Sequence, residues 1–119
     1  MRYFDLHCDT MTECALKNIP LRRNFLHVDL DTVQGWERYV QCYAVWLPDE
    51  LRGEPAWQRF LQVAERFSQE VEKNAGCLRQ LRAPGDLDSL EESGRHGAIL
   101  TVESSAVLGG RLERIQDLR

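Results

Sequence analysis

Three residues, His7, Asp9 and Glu103, carry the types and spacing from which a reactive centre is built. The apolar run Tyr3-Phe4-Asp5-Leu6 ends in His7-Cys8-Asp9. In an extended strand, side chains two apart point to the same side. An imidazole and a carboxylate therefore face one point at the end of a buried strand. A second apolar run, Gly97-Ala98-Ile99-Leu100-Thr101-Val102, ends in Glu103. In α/β folds with parallel strands, functional groups gather at the carboxyl ends of strands. Nitrogen and carboxylate donors together suit zinc, with manganese or cobalt also accommodated. A carboxylate from a separate strand is able to bridge two metals. His-x-Asp alone arises by chance, and a lone Glu after a strand is often the first loop residue. Joint placement at strand ends is what raises the metal reading.

The elements that must position these groups follow from periodicity and breakers. Residues 3–8 read as a short buried strand, followed by a helical turn or two over 12–17. Asn18-Ile19-Pro20 and Arg22-Arg23-Asn24 mark a loop. His27-Val28-Asp29-Leu30-Asp31 leads into a brief helix ending at Gly35, capped by Asp29 or Asp31. Residues 38–47 form a second strand, apolar on both faces as in a parallel sheet covered on both sides, and Pro48 ends it. Phe60, Ala64, Phe67 and Val71 recur at helical spacing within 54–75, and Gly76 supplies a stop. A short strand is expected over 77–81. Pro84-Gly85-Asp86 caps a further helix with Leu87 and Leu90 inward and Gly94 closing it. Residues 97–103 form the third clear strand. After Gly109-Gly110, Leu112, Ile115 and Leu118 begin an amphipathic helix. Alternating strands and helices predict an α/β architecture.

Size and composition set the bounds. With 119 residues and 43% hydrophobic content, the chain suits one domain with a core. The formal charge of −4 is spread over interspersed acids and bases, without the basic stripe that nucleic acid needs. Cys8, Cys14, Cys42 and Cys77 include no Cys-x-x-Cys pair and are expected as reduced thiols. No charged-then-apolar leader is visible, and no run reaches the about 18 apolar residues of a membrane span. The expectation is a cytoplasmic protein with no membrane segment. His27 is expected to fix its loop through hydrogen bonds. His96 is expected as an exposed structural residue at the pole opposite the site.

Asp5-Leu6-His7-Cys8-Asp9-Thr10 resembles the opening Asp-x-His-x-Asp of the membrane dipeptidase (renal dipeptidase) family. His27-Val28-Asp29-Leu30 resembles its His-x-Asp-Leu segment. Gln41-Cys42-Tyr43-Ala44-Val45-Trp46-Leu47-Pro48 resembles its Gln-Phe-aromatic strand ending in Pro. Residues 97–103, followed by Gly109-Gly110, resemble its strand ending in a metal-bridging Glu. The likeness runs in order along nearly the whole chain. It implies a (β/α)8 TIM-type barrel and a dipeptidase using two zinc ions, in which a metal-bridging hydroxide attacks the scissile carbonyl. His7 and Asp9 would then bind the first metal, Glu103 would bridge both and take the catalytic role, and Trp46 would contact the dipeptide where the family can place Tyr.

The sequence departs from the family after Glu103, where no histidine follows to complete the second metal. A full barrel also takes roughly 200–250 residues or more. Residues 1–119 are therefore expected to be the N-terminal part of a single hydrolase barrel, about three strand–helix units. A helical pattern still running at Arg119 agrees with this. On this expectation the isolated chain is inactive and prone to self-association through uncovered sheet edges. The alternatives are another metal-dependent amidohydrolase-type barrel enzyme, which Asp9 disfavours because many of those begin His-x-His, and a non-catalytic remnant domain.

Overall fold

The computed structural model describes residues 1–118. Four strands form one parallel sheet in the order β1-β2-β4-β3: β1 (Arg2–Cys8), β2 (Arg38–Val45), β3 (Leu78–Gln80) and β4 (His96–Val102). Four α-helices connect them: α1 (Thr10–Lys17), α2 (Leu30–Val33), α3 (Glu54–Lys73) and α4 (Gly85–Ser93). The α/β expectation is met: β1, β2 and β4 lie side by side, and the short β3 pairs on the far side of β4. Among the described residues, no helix is long and apolar enough to cross a membrane.

β2 is the centre of the sheet, and each of its residues is buried. One face carries Tyr39, Tyr43 and Val45 of β2, with Cys8 and Ala98, into the main core. Met11 and Cys14 of α1 and Phe60, Val63 and Phe67 of α3 close that core. The buried positions of α3 recur every three or four residues, so one stripe of a long helix covers the sheet. α3 ends at Lys73 rather than running toward Gly76. The Asn74 side chain donates to the Glu70 carbonyl at 2.8 Å and ends the helix before glycine is reached.

The other face holds a smaller cluster, Val40 with Leu81 and Leu90. The chain runs outward from β1 past β4 to β3 and then back to β4. Right-handed parallel crossovers place a returning helix on the opposite face, so α4 lies away from α1 and α3. It packs so closely that a Cβ on Gly97 would stand 2.8 Å from Leu81 Cδ1 and 3.1 Å from Leu90 Cδ2.

Three expectations about burial are corrected. β1 is an edge strand, and Tyr3, Phe4 and Leu6 are exposed rather than buried, because β1 has a neighbour on one side only. Leu87 is exposed, since the small cluster takes only Leu90 from α4. Residues 105–118 form 3-10 helices, Ser105–Leu108 and Leu112–Leu118, in place of an amphipathic α-helix. Leu112 and Ile115 are exposed there, while Arg114 is buried. Its guanidinium lies 4.6 Å from the Trp57 ring centroid and pairs with Glu54, and that anchor tethers the segment to α3. Arg119 lies outside the described residues, and with it the expectation drawn from a pattern running through it.

Candidate metal centre

The register of β1 against β2 is regular from Arg2↔Arg38 to Asp5↔Gln41, then shifts so that Cys8 faces Tyr43. Such an irregularity bends a strand and re-aims its side chains. His7 sits in the shifted stretch, and its backbone N–H donates to Asp5 Oδ1 at 3.1 Å. Asp9 is no longer strand at all. With φ −91° and ψ 4° it stands at the N-cap of α1, where its carbonyl accepts from Glu13 N–H at 3.1 Å. An aspartate there ordinarily turns its carboxylate onto a backbone N–H of the first turn. Asp9 makes no such bond. Its Oδ1 is buried without a hydrogen-bond partner and lies 3.4 Å from His7 Nε2.

Glu103 follows β4 directly, and its N–H donates to Val45 O at 3.4 Å. Its Oε2 lies 3.8 Å from His7 Nε2. One ligand atom from each of His7, Asp9 and Glu103 falls within 4.8 Å of the others. Ligand atoms around a tetrahedral zinc, at bond lengths near 2.0–2.2 Å, stand about 3.3 Å apart. The group is thus slightly wider than a closed site. The orphaned Oδ1 and two carboxylates beside an imidazole make a donor set that fits a divalent cation. Each side chain is roughly half exposed (53%, 47% and 44%), so the centre opens to solvent at the carboxyl end of the sheet.

The structure brings together the three residues singled out by sequence, although not by the route assumed. Strand alternation does not align His7 with Asp9, because the strand ends at Cys8. The register shift and the turn into α1 do so. Cys8, between them, belongs to the core, where burial pushes its thiol up to about 11, with Asp5 and Asp9 adding to the effect against hydrogen bonds from Thr10. All four cysteines are free. Trp46 follows β2 at the same end of the sheet as Glu103, is 42% exposed, and lies one residue beyond the Val45↔Val102 pair.

Two histidine expectations are corrected. His27 is exposed and, among the described residues, makes no hydrogen bond. The loop is held by Asn24, which donates to the carbonyls of Pro20, Leu21 and Val28 and accepts from Leu26 N–H. His96 is buried, because β4 carries it inward beside Tyr39, whose N–H donates to His96 Nδ1 at 3.2 Å. Burial, then Arg38, holds its pKa below the ordinary value, against a hydrogen bond to the Val33 carbonyl.

Sequence reasoning overlooked Thr12. Its buried hydroxyl donates to Ala44 O at 2.9 Å and accepts from Trp46 N–H at 3.2 Å. A threonine inside a short helix carries no motif signal, and only the three-dimensional pairing reveals it.

Comparison with known proteins adds one finding. The family model described as membrane dipeptidase (peptidase family M19) matches residues 1–119, the whole sequence. Comparison with curated proteins gives no match.

Proposed function

This chain belongs to the membrane dipeptidase family, and from that premise we propose that it forms the first-metal half of a zinc-dependent dipeptidase on a TIM-type barrel. The carrying observation is the convergence of His7, Asp9 and Glu103 to within 4.8 Å at the carboxyl end of a parallel sheet. In this reading the His7 imidazole and the Asp9 carboxylate would hold the first zinc, and Glu103 would serve a second as well. Zinc, when bound, lowers the pKa of water toward 7 and polarises a carbonyl, which is the chemistry peptide hydrolysis needs. The chain's own groups orient and neutralise. The His7 backbone is tied to Asp5, Asp9 keeps an oxygen free of helix capping, and Glu103 leaves the sheet where β4 ends. Trp46 offers an aromatic face and an N–H donor to a dipeptide approaching that end.

The parallel pairing of β1, β2 and β4 is compatible with part of a barrel, with residues 1–119 as part of one barrel domain and the short β3 paired outside β4. In this reading the second metal takes donors beyond His7, Asp9 and Glu103. The uncovered edge of β1, with Phe4 and Leu6 exposed, favours self-association of the isolated chain.

Calorimetric zinc titration of the chain beside a His7→Ala, Glu103→Ala double variant tests this reading. The expected result is a loss of more than about 100-fold in affinity, beyond the 10–100-fold cost of losing a group that only orients a ligand. Equal affinities would refute it. A longer form of the protein carrying further histidines should release amino acids from dipeptides. Hydrolysis confined to esters or cyclic amides would favour the amidohydrolase alternative.

A further inference from the structure

We propose that Thr12 is a positioning residue that couples the metal ligand Asp9 to the substrate-facing Trp46. The inference rests on the metal reading of His7, Asp9 and Glu103. In a parallel sheet, a residue of one strand donates its N–H to the carbonyl of residue i on its neighbour and accepts from the N–H of residue i+2. On β2, Val45 turns its carbonyl toward β4, where it accepts from Glu103 N–H. Backbone groups alternate from side to side along a strand, so Ala44 and Trp46 point the other way, toward β1. There β1 has ended, its last pairing being Cys8↔Tyr43, and the chain has turned into α1. Ala44 C=O and Trp46 N–H would be left without a strand partner.

Thr12 Oγ1 takes both. A hydroxyl offers one donor and two acceptor lone pairs, and this one donates to Ala44 O at 2.9 Å and accepts from Trp46 N–H at 3.2 Å. It stands in for the single residue that a longer β1 would have supplied. The strand is thereby free to stop at Cys8 and release Asp9 to the metal centre, without orphaning the end of β2. Thr12 lies in the first turn of α1, and Asp9 is that helix's N-cap. The same pair of bonds therefore fixes the helix end bearing Asp9 and the strand end bearing Trp46. The Asp9 carboxylate makes no capping bond of its own, so its direction depends on how α1 is seated.

The test uses Co²⁺ as the probe on wild type, Thr12→Val, Thr12→Ser and Asp9→Asn, each checked by circular dichroism for a cooperative melt. Affinity is read by titration, and ligand geometry by the visible d–d absorption of the bound ion. Thr12→Val keeps the shape and removes the hydroxyl. It should bind Co²⁺ roughly tenfold more weakly, the low end for groups that orient ligands, with an altered visible spectrum. Thr12→Ser keeps the hydroxyl and should restore both affinity and spectrum, which a packing role for the methyl group would not do. A folded Thr12→Val with wild-type affinity and spectrum would overturn the proposal. If Thr12→Val fails to fold, Thr12→Ala is read in its place: a roughly tenfold loss that Thr12→Ser does not share supports the hydroxyl's role, and wild-type affinity overturns it. Equal binding by wild type and Asp9→Asn is a different outcome. It removes the metal reading itself, and the role of Thr12 falls with it.

Discussion

Replacing Asp9 with Asn should stabilise the metal-free chain and destabilise the metal-loaded chain relative to wild type. Asp9 and Glu103 present carboxylate oxygens no more than 4.8 Å apart, with Asp9 Oδ1 unpaired. Two unit charges at that distance repel by about 0.9 kcal/mol in a water-like dielectric, and by about 3.5 kcal/mol at an effective dielectric near 20. Both side chains are roughly half exposed, so screening selects the lower figure. Asparagine keeps the shape and removes the repulsion, for a gain of about 0.5–1 kcal/mol. In a domain of this size that raises the melting temperature by roughly 2–5 °C. Zinc at a hundredfold excess over Kd stabilises a binding-competent protein by about 2.7 kcal/mol, and that gain belongs to wild type. The order of melting temperatures should therefore reverse. The assay is thermal melting of both proteins in chelator and in zinc, at low ionic strength because the repulsion is screened by salt. An Asn variant melting at or below wild type in chelator would refute the electrostatic argument. An equal zinc shift in both would refute the role of Asp9.

Three further outcomes follow from the packing. Glu70 is 1% exposed, accepts from Leu21 N–H at 3.0 Å and pairs with Arg66 at 3.1 Å; Glu70→Ala should cost about 1–3 kcal/mol in urea melts by leaving the Leu21 N–H without its acceptor, while Arg66 keeps its bonds to Asn18 and Ile19. Gly97→Ala should cost about 1–3 kcal/mol, because its Cβ meets side chains of Leu81, Leu90 and Val40 at 2.8–3.1 Å; an unchanged midpoint would show that the cluster yields freely. His96 is held neutral, with a folded pKa below 6.5. Its contribution is complete above the unfolded pKa and is lost as pH falls through 6.5 and the lower folded value. The urea midpoint should drop over that window, and His96→Gln should flatten the drop.

Much of this was legible in the sequence because the signals were local. The apolar runs, the α3 stripe and the order of His7, Asp9 and Glu103 each declare themselves within a few residues. Asp29 is such a case, since its side chain accepts from Thr32 N–H and caps α2 as its residue type suggests. What the sequence did not reveal depends on neighbours distant along the chain. β1 reads as buried, yet its position at the edge leaves Phe4 and Leu6 exposed. His96 reads as a turn residue, yet β2 lies beside it and encloses it. Arg114 interrupts an apolar pattern, yet Trp57 and Glu54 draw it inward and its apolar neighbours out. The register shift in β1 and the hydroxyl of Thr12, which together set Asp9, leave no trace in composition or spacing.

Crystals of the chain grown with zinc and measured at the zinc absorption edge test the central claim most directly. The account predicts an anomalous peak bonded to His7 Nε2 and an Asp9 oxygen at about 2.0–2.2 Å, with Glu103 as a further ligand. Zinc bound elsewhere on the chain, with His7, Asp9 and Glu103 left free of it, would contradict the account.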